Sequence, residues 1–243
     1  MRMWSFAKRT LKEILRDPLT LLFGLGFPGV LILLLSAIQA NIPVSLFEID
    51  RLAPGMTVFG LSFMTLFSAS LIAKDRESAL LQRLYATPMT ALDFILGYTL
   101  PLLPIALVQS GFCFLIGILL GMDVTAYLLY ALLFILPMAL FNIGLGLLFG
   151  SILNQKQVGG ICGGLLTNLS AWLSGIWFDL ELVGGVFQKI ANALPFVHAV
   201  QAEQLVMTGH VKDALLHLLW VGGYAVAVFG IAVYLFVRQM KKD

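Results

Sequence analysis

Long apolar runs separated by short polar stretches set the layout of the chain. Residues 2–17 come first and are amphipathic. Trp4, Ala7, Leu11 and Leu15 share one helical face, while Arg2, Arg9, Lys12 and Arg16 lie mostly off it. A basic helix with an aromatic anchor is expected to lie in a membrane interface, here over residues 1–18. Six apolar segments follow, at 19–40, 55–73, 91–120, 126–150, 159–178 and 214–237. Each reaches about the 20 residues that a bilayer crossing requires, and the third is long enough to tilt. The first exceeds the roughly 7–15-residue core of a signal peptide and reads as a retained span. Pro101 and Pro104 predict a kink in the third. Gly144, Gly146 and Gly150 predict close helix approach in the fourth. The fifth opens on the small-residue run GGICGGLL.

Among the polar breaks, Lys74–Pro88 (KDRESALLQRLYATP) has the clearest pattern of its own. Lys74, Asp75, Arg76 and Glu77 open it, and acidic groups suit a helix N-terminus. Glu77, Leu80, Leu81, Leu84 and Pro88 follow at the spacing of one helical face, and Thr87-Pro88 stops the helix. Residues 74–90 therefore read as a short amphipathic helix whose apolar stripe either lies on lipid or waits for a protein. Residues 179–195 are too polar to span, and Gly184-Gly185 divides them into Leu180–Val183 and Val186–Leu194. They read as a re-entrant or interfacial hairpin. Phe196–Asp213 reads as a polar connector with His198, Glu203, His210 and Lys212, and Arg238, Lys241 and Lys242 close the chain as a basic stop.

Composition places this pattern in a membrane. Of the 243 residues 60% are hydrophobic and 12% charged, with mean hydropathy +0.96; a soluble domain carries about 25% charged residues. The net charge of +2 gives no reason to expect nucleic acid. Cys113 and Cys162 sit in apolar runs and read as small core residues, and no Cys/His cluster suggests a metal. Of the 15 Lys and Arg, all but Arg51, Lys189 and Lys212 fall on the side of the termini and of residues 74–90. The positive-inside rule puts that side in the cytoplasm, and the membrane is expected to be a bacterial-type inner one.

The apolar segments hold no Asp, Glu, Lys or Arg near their middles, unlike carriers driven by ions, which keep costly charges at membrane depth. Nor does the chain contain a GxxxxGK[ST] phosphate loop, so any ATP-driven work would come from a partner. Ser62, Thr65, Ser68, Gln109, Asn142, Asn168 and Ser174 are polar groups within the spans. Some could line a substrate path; interhelical hydrogen bonding is the commoner role. Two other classes fit less well. A scaffold or sensor subunit would share the spans, and a hydrolase would need Ser174 beside a base such as His198, which lies beyond the polar hairpin.

DRESALLQRLYATPMT followed by Phe94-Ile95-Leu96-Gly97 resembles the cytoplasmic signature of ABC-2-type permeases, roughly E-x-G-T-L-E-R-L-x-x-T-P with a glycine further on. Glu77, Arg83, Leu84, Thr87, Pro88 and Gly97 match it, whereas Ala79, Leu80 and Gln82 stand where the pattern has Gly, Thr and Glu. Pro195-Phe196-Val197-His198-Ala199 is similar to the family's proline-centred segment before the last span. The resemblance implies an all-α polytopic membrane domain over residues 1–243. It would have six spans, an N-terminal interfacial helix, a coupling helix at 74–90 and an outer re-entrant hairpin. It also implies the permease subunit of an ATP-driven exporter of hydrophobic or amphipathic compounds, paired with a second permease copy. A cytoplasmic cassette ATPase would bind the ATP and Mg, leaving no cofactor and no catalysis in this chain. Glu77, Leu80, Leu81, Arg83, Leu84, Thr87 and Pro88 would form its contact, with Ser62, Thr65, Ser68, Asn142 and Asn168 as path candidates.

Overall fold

The computed structural model describes residues 2–240, which are helical throughout apart from short connections; Lys241 and Lys242 of the basic tail lie outside the described residues. The order is α1 (Arg2–Leu15), α2 (Leu22–Gln39), α3 (Ile49–Glu77), α4 (Leu80–Tyr85), α5 (Ala91–Leu119), α6 (Tyr127–Ile152) and α7 (155–173). There follow α8 (Leu180–Val183), α9 (Gly185–Ala193), α10 (Pro195–Met207) and α11 (Val211–Met240). Among the described residues five helices, α2, α3, α5, α6 and α11, are long and apolar enough to cross a membrane.

α3 is the axis of the bundle, with 89% of its apolar stretch buried against 22% for α11. It outruns the predicted 55–73 at both ends. Asp50 sits favourably in its first turn, and the charged run Lys74–Glu77 forms its last turn. Hydropathy alone misses both, because a helix end is polar while still helical. α6 packs directly along α3. A Cβ on Gly146 would lie 2.4 Å from the Thr65 carbonyl oxygen, and one on Gly150 would lie 2.7 Å from that of Ala69. Gly144 instead faces Phe229 of α11. These three glycines therefore do bring helices close. α5 continues as one element through Pro101 and Pro104, opened by a capping box between Thr90 and Asp93.

Packing reveals two further inward faces. On α1 the buried residues are Phe6, Ala7, Thr10 and Ile14, while Trp4 and Leu15 are exposed. The bundle takes the Phe6-Thr10-Ile14 stripe rather than the one through Trp4, Leu11 and Leu15. The expected polar connector at 196–213 is largely α10, which buries Val197, Val200, Ala202, Glu203 and Val206. Small and β-branched residues between its polar positions give it an inward face that average polarity conceals.

The predicted span 159–178 is helical over 155–173, with π-type turns through Gly159–Leu166, and it ends short of residue 178. It is not among the five long apolar helices. It runs beside α3 all the same. Val158 and Cys162 pack with Ala69 and Ala73, and Gly163 faces Leu66. Just past its end Ile176 lies over Gly55, and the Trp177 ring sits edge-on to Phe59. α8 and α9 are short helices joined at Gly184, close to the predicted pair.

Candidate functional site

The stretch 74–88 proves to be two elements. Lys74 to Glu77 finish α3, so they meet the negative end of its dipole rather than the positive end of a new helix. Lys74 and Arg76 suit that place, and Asp75 does not. Asp75 is nevertheless 1% exposed, and it is held by an unusually complete set of donors. Arg9 of α1 donates to it in bidentate fashion at 2.5 and 2.6 Å, and the buried Tyr98 hydroxyl of α5 donates at 2.8 Å. Arg9 also pairs with Glu13 at 2.8 Å, and Glu13 pairs with Lys74 at 2.7 Å. The hydrogen bonds to Asp75 raise the Arg9 pKa above its ordinary value, outweighing the opposing effect of partial burial, and the charges of Asp75 and Glu13 add to the rise.

The ring contacts below this clamp explain Gly97. Phe6 sits edge-on to Tyr98 at 4.9 Å and to Phe94 at 5.8 Å. A Cβ on Gly97 would meet the Phe6 ring at 2.2 Å, so the residue must lack one for α1 to seat on α5. The next charges tie α3 to its other neighbours. Arg76 donates to the carbonyls of Gly150, Ser151 and Leu153, capping the C-terminus of α6. Glu77 accepts from the Gln155 amide at 2.8 Å, at the start of α7. One turn of α3 thus fastens α1, α5, α6 and α7.

Ala79 then breaks the helix in the left-handed region, with φ +57°. This is the position where the family signature has glycine, and only glycine takes that conformation without strain. Beyond it α4 spans six residues, Leu80–Tyr85, shorter than the predicted 74–90 helix, because Ala79 separates it from Glu77. Its stripe is not wholly outward. Leu81 is 1% exposed and belongs to the main core, and Leu84 packs against that core. Glu77, Arg83, Thr87 and Pro88 are exposed, and Leu80 is half-buried.

With this geometry in view, the ABC-2 type transporter family matches residues 1–207, from α1 to the end of α10. The chain belongs to that family. No curated protein matches it. As an ABC-2 protein the chain is the membrane component of a transporter, with several helices suited to crossing a bilayer.

Most of the permease's polar span residues are satisfied within their own helix, and Thr65 and Ser68 also bond across from α3 to α6. Thr65 donates to the Asn142 carbonyl at 2.9 Å, joining α3 to α6. Ser68 donates to the Met64 carbonyl at 2.7 Å, Asn142 to that of Met138 at 3.0 Å, and Ser174 to that of Ala171 at 2.8 Å. Gln109 donates to the Cys113 sulfur at 3.2 Å. Asn168 bonds the Gly164 carbonyl on an exposed face of α7. Ser62 differs: its buried hydroxyl has no partner among the described residues and borders a cavity of about 20 Å³ that Asn142, Ser170 and Ser174 also line. That volume is room for one water.

Three groups escaped the sequence reading as functional features. Asp75 looked like one of four similar charges, and only its partners on α1 and α5 single it out. Glu203 is fully buried on α10, both of its carboxylate oxygens lack a hydrogen bond among the described residues, and burial pushes its pKa well above the ordinary value. His198 and His217 place their Nδ1 atoms 2.8 Å apart, and His198 Nε2 lies 2.9 Å from the Asn192 carbonyl. Because a carbonyl can only accept, His198 carries a proton on Nε2. Ser174 and His198 are thus each bonded elsewhere, which leaves the hydrolase reading without its dyad.

Proposed function

We propose that this chain is the permease subunit of an ATP-driven exporter that moves a hydrophobic or amphipathic compound outward across a bacterial-type inner membrane. On this reading a separate cytoplasmic cassette ATPase binds ATP and Mg and docks at α4 and the adjoining exposed residues Glu77, Leu80, Arg83, Thr87 and Pro88. A second permease copy completes the transporter. Leu81 and Leu84 seat α4 on the bundle, so a load applied to the short helix passes to the spans instead of being absorbed by a loop. The observation that carries the reading is α4 itself. A six-residue helix, set off by a strained left-handed break, is anchored by its own leucines and presents charged and polar residues outward.

The same proposal makes α7 a sixth crossing and puts both termini in the cytoplasm. Support comes from the course of α7 beside α3, from the level of Ala73 to that of Phe59 and Gly55. At 1.5 Å per residue, residues 55–73 of α3 cover about 27 Å, near the thickness of a hydrocarbon core. α8 and α9 then form the outer re-entrant hairpin. The test is a mild-detergent pull-down of the tagged protein from its host. A stoichiometric soluble protein carrying a phosphate loop is expected, lost on Arg83→Glu. Recovery of the permease alone, even after crosslinking, would overturn the proposal.

A further inference from the structure

Packing divides α1 into sectors. Phe6, Ala7, Thr10 and Ile14 are buried in the bundle. Trp4 and Leu15 are 60% and 55% exposed, and with half-buried Leu11 they make an apolar strip facing away from the core. Lys8, Lys12 and Arg16 recur every fourth residue and, at about 100° per residue, lie directly beside that strip. Arg9 and Glu13 come next and turn to α3, where ion pairs engage them.

The basic stripe lines an open groove of about 940 Å³ together with Ser5, Arg9, Glu13, Asp17 and Lys74. Its charges are unequal. Arg9 and Lys74 are neutralised by Asp75 and Glu13, and Asp17 bonds Thr20 at the start of the next helical segment. Lys8, Lys12 and Arg16 are exposed and have no ion pair or hydrogen bond from their side chains among the described residues.

We propose that this groove binds the phosphate of an anionic phospholipid headgroup through Lys8, Lys12 and Arg16, with the acyl chains lying along Trp4, Leu11 and Leu15. The depth is right. Arg16 precedes the outward-facing Leu22 and Phe23, which are 63% and 49% exposed, by only six or seven residues, across the break at Arg16-Asp17. Cations that adjoin an uncovered apolar strip at that level match a lipid, which carries its charge and its apolar body in one molecule. A soluble phosphate would match only the cations, and an acidic protein surface would leave the strip bare.

The test titrates the purified full-length permease in neutral detergent with phosphatidylglycerol or phosphatidylcholine, read by native mass spectrometry of retained lipid. Wild type should retain phosphatidylglycerol preferentially. Each cation contributes about five-fold at a lipid surface, so Lys8→Gln/Lys12→Gln/Arg16→Gln should lower that preference by about 100-fold, and added salt should weaken it. Each single substitution should cost about five-fold, which reads the site even if the triple variant folds poorly. Undiminished preference in the single variants would overturn the proposal. So would displacement of the lipid by equimolar inorganic phosphate. Loss of ATPase capture with lipid retention unchanged would assign the stripe to the ATPase and likewise overturn it.

Discussion

Removing Arg9 should destabilise the protein more than removing the residue it pairs with. In Arg9→Met the Asp75 carboxylate stays 1% exposed and keeps only the Tyr98 hydroxyl as a donor. A buried charge left this way costs about 3–5 kcal/mol. Because the Arg9 side chain is 37% exposed, water enters part of the vacated space, which favours the lower end, about 3 kcal/mol. Asp75→Ala has a different balance. Arg9 keeps its Glu13 partner and turns to solvent, so the main loss is the Tyr98–Asp75 hydrogen bond, about 1–3 kcal/mol. In the double variant no buried charge remains, and its cost should match Asp75→Ala alone. The coupling is then close to the whole cost of Arg9→Met, about 3 kcal/mol. The assay is reversible unfolding by sodium dodecyl sulfate in mixed micelles, followed through the four tryptophans. Additive costs, or an Arg9→Met loss smaller than that of Asp75→Ala, would refute the claim that burial of Asp75 sets the balance.

Ala79→Gly should stabilise by about 0.5–1 kcal/mol by relieving the left-handed strain, and Ala79→Val should do the reverse; the same unfolding assay reads both. Gly146→Ala drives a methyl against the Thr65 carbonyl 2.4 Å away, so it should cost about 1–3 kcal/mol or more and part α3 from α6; a wild-type midpoint would refute the close approach. Glu203 has a raised folded pKa, so the folded state binds more protons than the unfolded chain, whose Glu titrates near about 4.3. Stability should therefore be greatest below that value and fall as pH rises, by up to about 1.4 kcal/mol per pH unit until the folded pKa is passed. Glu203→Gln should flatten the slope, and an unchanged slope would show that Glu203 does not cause it.

The long helices were legible because a bilayer core demands unbroken apolar length, a demand that hydropathy reads directly. What stayed hidden depended on pairing. Nothing in KDRE shows that Asp75 points inward while Lys74 points out, since that choice is made by Arg9, 66 positions earlier, and by Tyr98. Likewise Pro195–Met207 has the composition of a connector, yet Val197, Val200 and Val206 line a face that only packing against α3, α6 and α11 turns inward. Gly97 and Ala79 were legible only as a match to and a departure from the ABC-2 signature. Their reasons, the Phe6 ring and a positive φ, are facts of three dimensions.

Those two positions bear on how a load at α4 would travel under the proposed function. If α4 hung from a flexible loop, displacing it would cost little and move nothing. Instead Leu81 sits in the core and only Ser78 and Ala79 link α4 to the end of α3, so displacing α4 pulls on α3. α3 cannot move alone, because its last turn is bonded through Asp75 to α1 and α5, through Arg76 to the end of α6, and through Glu77 to α7. The glycine contacts of α6 carry the same constraint deeper into the bundle, where Gly146 and Gly150 leave no slack against α3. A shift at the short helix is therefore shared among four neighbours at once. That is the arrangement expected of a subunit that receives its work from outside its own chain.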